Sequence, residues 1–202
     1  MAYFPFFIDI ENKRCVVIGG GSVAKRKVEK LLPFKPAISV FAPKICDEIA
    51  QIPDLKIYRR EFQDGDIDGA FMVISATDDE ELNSHIFALC RDKNIPVNTV
   101  DDKDKCSFIF PALALYEATT VGISTSGKCP IYSRTLREKI EKTLVEDAGI
   151  CDTLSRAREI IKAEVGSERN RKKALEHILN HCTQTGEDID DNKILEIIEE
   201  YR

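Results

Sequence analysis

The residues best suited to chemistry are Gly19-Gly20-Gly21-Ser22-Val23-Ala24, which follow a β-branched run and open an amphipathic stretch. They fit the pattern G-x-G-x-x-A, which cradles the pyrophosphate of a dinucleotide when it joins a strand to a helix. Gly19 permits the tight turn, Gly21 lets a phosphate approach the backbone, and Ala24 lets the helix pack closely on the strand. Unpaired N–H groups and the positive dipole end of that helix, beginning at Ser22-Val23, supply the attraction. One usual companion is missing. An acid is expected about 20 residues on, to bind ribose hydroxyls. Phe41-Ala42-Pro43-Lys44 stands there instead. Backbone groups or a hydroxyl would then hold the ribose, and Lys44 leaves NADP open beside NAD. Further cofactor contacts are expected where other strands end, at Ala76-Thr77-Asp78 and at Asn98–Asp102. Asp78 and Asp79 also read as helix caps, Asp79 above all.

The elements that must position these residues follow from periodicity. Cys15–Ile18, Ile38–Phe41, Leu55–Tyr58, Phe71–Ile74 and Ile95–Val100 are short, mostly apolar runs that read as strands. Helices are expected at 23–32, briefly at 46–51, and at 80–93. Strands alternating with helices, each strand nearly all apolar, predict a Rossmann-like parallel sheet covered on both faces: an α/β fold. The pattern changes near residue 106. Ser107–Phe110 and Thr119–Ser124 read as two strands with no crossover helix between them, and Pro130 opens a helix. Beyond Cys151 the chain reads as helical, over 153–165, 168–179 and 190–200. The predicted division is a nucleotide-binding domain at 1–112, a small β-β-α region at 113–150 and a helical domain at 151–202.

Composition narrows the function classes. Among 202 residues, 43% are hydrophobic and 32% charged, so the chain can bury a core. The net charge of −6 argues against a nucleic-acid binder. Residues 187–202 alone hold seven acids and two bases, or −5 of that total. No run approaches a membrane span, and the amino terminus lacks the basic region of a secretory signal. The seven cysteines are scattered, with no CxxC pair, and read as free thiols in a reducing cytoplasm. His177 and His181 share a helix face, a spacing that can bind metal but more often does not. No metal site is expected.

Taken in order, Phe6–Ile10, Val17–Lys27, Ala76–Asp79, Asn98–Asp102, Cys106–Pro111 and Ser124–Pro130 resemble the precorrin-2 dehydrogenase family of siroheme synthesis. The resemblance covers roughly residues 3–145. It implies NAD-dependent oxidation of precorrin-2 to sirohydrochlorin by a homodimer, with 113–150 as the dimerisation region. It places the catalytic carboxylate on Asp101, as general base or as stabiliser of positive charge, with Asp102 as a backup. It adds Ser22, Val23, Pro43 and Lys44 as cofactor contacts; with the glycine motif and the strand ends, the expected set is Gly19, Gly21, Ser22, Val23, Ala42, Pro43, Lys44, Ala76, Thr77, Asp78, Asn98 and Val100. Substrate contacts fall on Ser107 and on the loop Ser124, Thr125, Ser126, Gly127 and Lys128. The family often has Ser where Cys129 stands. Two alternatives stay open: an enzyme that also inserts ferrous iron into sirohydrochlorin, and, remotely, a non-catalytic NAD-sensing module.

Overall fold

The computed structural model describes residues 3–100 and 102–202, so Asp101 lies outside the described residues. The chain divides into two compact units, residues 4–110 and 111–202.

In the first unit the apolar runs become five strands: β1 (Arg14–Ile18), β2 (Ala37–Phe41), β3 (Lys56–Tyr58), β4 (Met72–Ser75) and β5 (Val97–Thr99). They form one parallel sheet in the order β3-β2-β1-β4-β5. β1 and β4 are apolar on both faces and buried on both, which suits the centre of a parallel sheet. Alternate residues feed two cores. Cys15, Val17, Val40 and Ile74 meet Ala24, Val28 and Leu31 of α1 (Ser22–Leu31) and Ile49 of α2 (Asp47–Ala50). Val16, Ile18, Val73 and Val97 meet Ile86 and Cys90 of α3 (Glu80–Asp92). Strand order reverses between β1 and β4. In such sheets a crevice opens at that point, beyond the carboxyl ends of the strands.

The expected strand Ser107–Phe110 does not form. Cys106 makes only an isolated bridge to Asn98, and Phe108 and Phe110 pack into the α1-side core. The second unit instead builds its hairpin from β6 (Ala112–Tyr116) and β7 (Thr119–Ile123). The Ala-Leu-Ala-Leu run of β6 favours helix in isolation. Pairing wins because Glu117 and Ala118 close a two-residue turn with Glu117 at φ +47°. α4 (Pro130–Glu146) packs on both strands.

α5 (Ile150–Glu164), α6 (Glu168–Thr185) and α7 (Asp191–Ile198) share a separate core of Ala157, Ile161, Ala174, Ile178, Ile194 and Ile198. Arg156 draws the acidic end of the chain onto α5, reaching Asp188 at 3.0 Å and the Ile189 carbonyl at 2.9 Å. His177 Nδ1 is 3.1 Å from the Tyr201 hydroxyl, which gives that histidine a structural partner. Among the described residues no helix is long and apolar enough to cross a membrane.

Candidate cofactor site

Backbone hydrogen bonds bring the predicted cofactor residues of the first unit to one edge of the sheet. Gly19 N donates to Phe41 O (2.9 Å), Ala76 N to Ile18 O (2.7 Å) and Val100 N to Ser75 O (2.9 Å). The loops after β1, β2, β4 and β5 thus start side by side. Cys46 N donates to Gly20 O (2.9 Å), which ties the segment after Lys44 to the glycine loop.

The three glycines of that loop differ in what requires them. Gly19 has φ +122°, and a Cβ there would lie 2.1 Å from the Ala76 carbonyl oxygen. At Gly20 a Cβ would lie 2.1 Å from Lys44 O and 2.9 Å from Ile45 Cα. These two are required by the fold. Gly21 is different: a Cβ would meet nothing within 4 Å among the described residues, and its φ of −89° suits any residue. Gly21 is also the N-cap of α1, and among the described residues no side chain caps that helix. The first turn has no acid. Gly21 and Ser22 are exposed, so the N–H groups and dipole of an uncapped helix end are suited to a phosphate. Ala24, fully buried, brings α1 close to the sheet as expected. A dinucleotide's pyrophosphate fits this cradle.

At the end of β2, Ala42 is buried while Pro43 and Lys44 are exposed. The Lys44 backbone seals against Gly20, so its side chain is carried beside the glycine loop. Tyr58 stacks on Phe41, with ring centroids 4.4 Å apart and planes within 4°. Arg60 lies over both rings and grips Asp66 through two hydrogen bonds of 2.6 and 2.8 Å. That hydrogen bonding, with the guanidinium charge, holds the Asp66 carboxyl below its ordinary value, although burial opposes it.

The loop after β4 is held by a residue that periodicity could not single out. Buried Asn83 of α3 accepts from Ser75 Oγ (2.6 Å) and Thr77 Oγ1 (2.8 Å) and donates to Thr77 O (3.0 Å). Asp79, as expected, caps α3 by accepting from Leu82 N (3.0 Å), and Asp78 stays exposed.

After β5 the polar groups converge. Asn98 accepts from Lys27 Nζ (3.0 Å) and donates to Phe108 O (2.9 Å), so its amide is committed within the protein. Lys27 Nζ also lies 4.2 Å over the Phe110 ring. Ser107 Oγ accepts from Val97 N (2.7 Å) and faces Val97 O, which commits that hydroxyl to β5. Asp102 caps the 3-10 turn Lys103–Lys105, and a 2.9 Å pair with Lys105 holds its carboxyl below the ordinary value. It is therefore occupied as a structural acid.

In the second unit the loop Ser124–Lys128 precedes α4. Ser124 Oγ accepts from Ser126 N (3.0 Å), and Thr125 Oγ1 accepts from Cys129 N (3.2 Å). Ser126 and Gly127 have φ of +54° and +73°. Lys128 is exposed. The loop is ordered by its own hydroxyls and presents a cation.

A family model covering residues 6–112 matches this chain and carries the description "Putative NAD(P)-binding". The chain belongs to that NAD(P)-binding family. The match spans the whole parallel sheet and its glycine loop. This NAD(P)-binding chain is also 38% identical to the siroheme synthase of Photorhabdus laumondii over 184 residues, 89% of this chain and 39% of that protein. It is 40% identical to the siroheme synthase of Blochmanniella pennsylvanica over 160 residues, 78% of this chain and 33% of that protein. The chain therefore spans two fifths or less of these curated relatives. A solved structure titled "SirC, precorrin-2 dehydrogenase" matches with a TM-score of 0.73 at 21% identity, covering 98% of this chain and all of that one. That likeness shows a common fold across both units.

Proposed function

We propose that the protein is an NAD-dependent dehydrogenase that converts precorrin-2 to sirohydrochlorin. The observation that carries the reading is Gly21, an N-cap glycine that the fold does not need and that stands open at an uncapped helix end. The relatives named siroheme synthase and the solved neighbour titled precorrin-2 dehydrogenase support the choice of substrate. The alternative of added iron insertion has no observation in its favour here.

NAD⁺, when bound, supplies a hydride acceptor. The N–H groups of Gly21, Ser22 and Val23 would hold its pyrophosphate, with no acid nearby in α1 to repel it. Ala42, Pro43 and Lys44 would border the ribose, through backbone groups and a cation in place of the usual carboxylate. Ala76, Thr77 and Asp78 follow β4, and Asn98 and Val100 bracket the end of β5, where a nicotinamide is met in this class of sheet. We assign Asp101 the reacting proton: a carboxylate in this turn takes the proton lost by the substrate, or offsets positive charge as hydride leaves. Asp102 is the weaker candidate, since it already caps a turn and pairs with Lys105. Lys128, with the N–H groups and hydroxyls of Ser124–Gly127, suits the carboxylates of a tetrapyrrole.

We further infer that residues 113–150 form a dimerisation region and 151–202 a helical domain of a cytoplasmic homodimer. Ile131, Tyr132 and Val145 of α4 support this, since they are 79%, 55% and 56% exposed in the single chain.

The test mixes purified protein with enzymatically made precorrin-2 and NAD⁺ and follows the absorbance of sirohydrochlorin and NADH. Asp101→Ala should keep NAD⁺ affinity and lose turnover by about 100-fold or more. No turnover by the natural chain with either NAD⁺ or NADP⁺ sinks the proposal. A fully active Asp101→Ala variant removes Asp101 from the mechanism.

A further inference from the structure

The loop after β4 is the seat of the glycine loop, and one buried amide holds it. A Cβ at Gly19 would lie 2.1 Å from Ala76 O and 3.3 Å from Thr77 N, so Gly19 rests directly on the 76–77 peptide. Ala76 N donates to Ile18 O (2.7 Å), which fastens that peptide to the end of β1. Asn83 of α3 grips the same loop from within the core. Its Oδ1 accepts from Thr77 Oγ1 (2.8 Å) and Ser75 Oγ (2.6 Å), and its Nδ2 donates to Thr77 O (3.0 Å). A carbonyl oxygen only accepts, so the amide nitrogen must face Thr77 O and the amide oxygen the two hydroxyls. The loop therefore needs a donor and an acceptor together at this place. Ser75 O in turn accepts from Val100 N (2.9 Å), which extends the tie to the end of β5. The helix itself does not ask for this residue. Asp79 already caps α3. The buried residues of that helix are Asn83, Ile86 and Cys90, spaced as one inward stripe. An apolar side chain at 83 would continue the stripe without the cost of burying an amide.

We propose that Asn83 is a positioning residue for the dinucleotide: by fixing the Ala76–Thr77 peptide it holds the surface against which Gly19, and with it the phosphate-binding loop, takes its shape. The inference rests on the glycine loop as the cofactor cradle. Asn83 acts through the loop and is assigned no contact with the cofactor. Its effect is one of population: a loop that keeps its binding shape about one tenth of the time binds about tenfold more weakly.

The experiment compares the natural chain with Asn83→Ala, Asn83→Asp and Ile86→Val. NAD⁺ affinity is measured by calorimetry from about pH 5 to about pH 9. Hydrogen exchange at the Gly19 and Ala76 amides is followed in the cofactor-free protein. Asn83→Ala leaves the Ser75 and Thr77 hydroxyls and the Thr77 carbonyl without their partner; it should weaken NAD⁺ binding by about tenfold and speed exchange at both amides. Ile86→Val loosens the same helix face without touching the loop. It should lower the melting temperature and leave NAD⁺ affinity within about twofold. Asn83→Asp separates positioning from bulk stability. Its carboxylate accepts from both hydroxyls but has no hydrogen for Thr77 O. Protonated, it regains that donor and mimics the amide. Burial raises the pKa of such a carboxyl. Affinity should therefore approach the natural value at the acid end and fall about tenfold below it as pH rises. Asp78, Asp79, Glu80, Glu81 and the His85–Asp64 pair are exposed and common to both chains, so the ratio of the two affinities removes their titration. Natural affinity in folded Asn83→Ala overturns the proposal. So does an equal loss in Ile86→Val, which would mark general loosening of the helix. If Asn83→Ala fails to fold, Asn83→Asp decides: an affinity ratio that stays constant across the pH range overturns the proposal. Failure of the underlying reading shows separately, as natural NAD⁺ affinity in Gly21→Asp, whatever the Asn83 variants do.

Discussion

Replacing Gly21 by Asp should move stability and cofactor affinity in opposite directions. A Cβ at this position meets no atom of the described residues within 4 Å, and φ of −89° with ψ of −171° is ordinary extended backbone. Gly21 is the N-cap of a helix with no capping side chain and no acid in its first turn. Asp is a good N-cap and exceeds Gly there by a few tenths of a kcal/mol. That raises the melting temperature of the cofactor-free protein by about 1–2 °C for a unit of this size. The same carboxylate enters the space assigned to pyrophosphate. A unit charge about 5 Å from a phosphate, at an effective dielectric constant of about 20, costs ~3 kcal/mol. Affinity for NAD⁺ should then fall by about 100-fold. Thermal unfolding without cofactor measures the first effect. Calorimetric titration with NAD⁺ measures the second and suits a chain that has no Trp to report binding by fluorescence. Gly20→Ala is the control. Its Cβ meets the Lys44 carbonyl at 2.1 Å and Ile45 Cα at 2.9 Å, so overpacking of about 1–3 kcal/mol should destabilise the protein itself. Unchanged NAD⁺ affinity in Gly21→Asp would falsify the assigned phosphate site. A loss of stability equal to that of Gly20→Ala would refute the distinction between the two glycines.

Two further outcomes follow from groups already described. Lys128→Ala should raise KM for precorrin-2 several-fold with NAD⁺ affinity unchanged, since the loop lies outside the glycine-loop unit; steady-state kinetics at saturating NAD⁺ check this, and an unchanged KM removes Lys128 from the substrate site. Asp66→Asn should lower stability by about 1–2 kcal/mol, a figure discounted because the Arg60 partner is 39% exposed. The Asp66 carboxyl is held below its unfolded value, so its contribution is present above about pH 4 and fades as pH falls through the folded value. Urea titrations at pH 6 and pH 3 should show natural and variant chains converging at the lower pH; a constant difference contradicts the pair's role.

Much of this site is legible in the residues because its signals are local. The strand–glycine–helix sequence from Cys15 to Leu31 is set by neighbours in the chain, and the parallel sheet follows from continuous apolar runs. The Asp79 cap needs only a residue three positions on. What was hidden depends on partners far away in sequence. Gly20 reads as a filler glycine until the Lys44–Ile45 backbone is seen against it. Asn83 sits in a helix like any polar residue until Ser75 and Thr77 meet its amide. The misplaced strand at Ser107–Phe110 has a different cause: Phe-Ile-Phe carries strong strand propensity, yet its aromatics are used to cover a face of the sheet, and the weaker Ala-Leu run of β6 gains a hairpin partner.

The seat of Gly19 against Ala76 has a consequence for the order in which the protein acquires its site. The glycine loop cannot reach its final shape from the first βα element alone, because the surface it rests on belongs to the strand end after β4. During synthesis β1, α1 and β2 emerge well before that support exists. Pairing β1 with β4 joins segments separated by most of the sheet, a high-contact-order step, while α5, α6 and α7 close on near neighbours. Cofactor-binding competence therefore depends on a non-local strand, since the loop has its support only where β4 lies beside β1. The loop that carries the clearest signature in the sequence thus owes its shape to residues that lie beyond β2 and β3 in the chain.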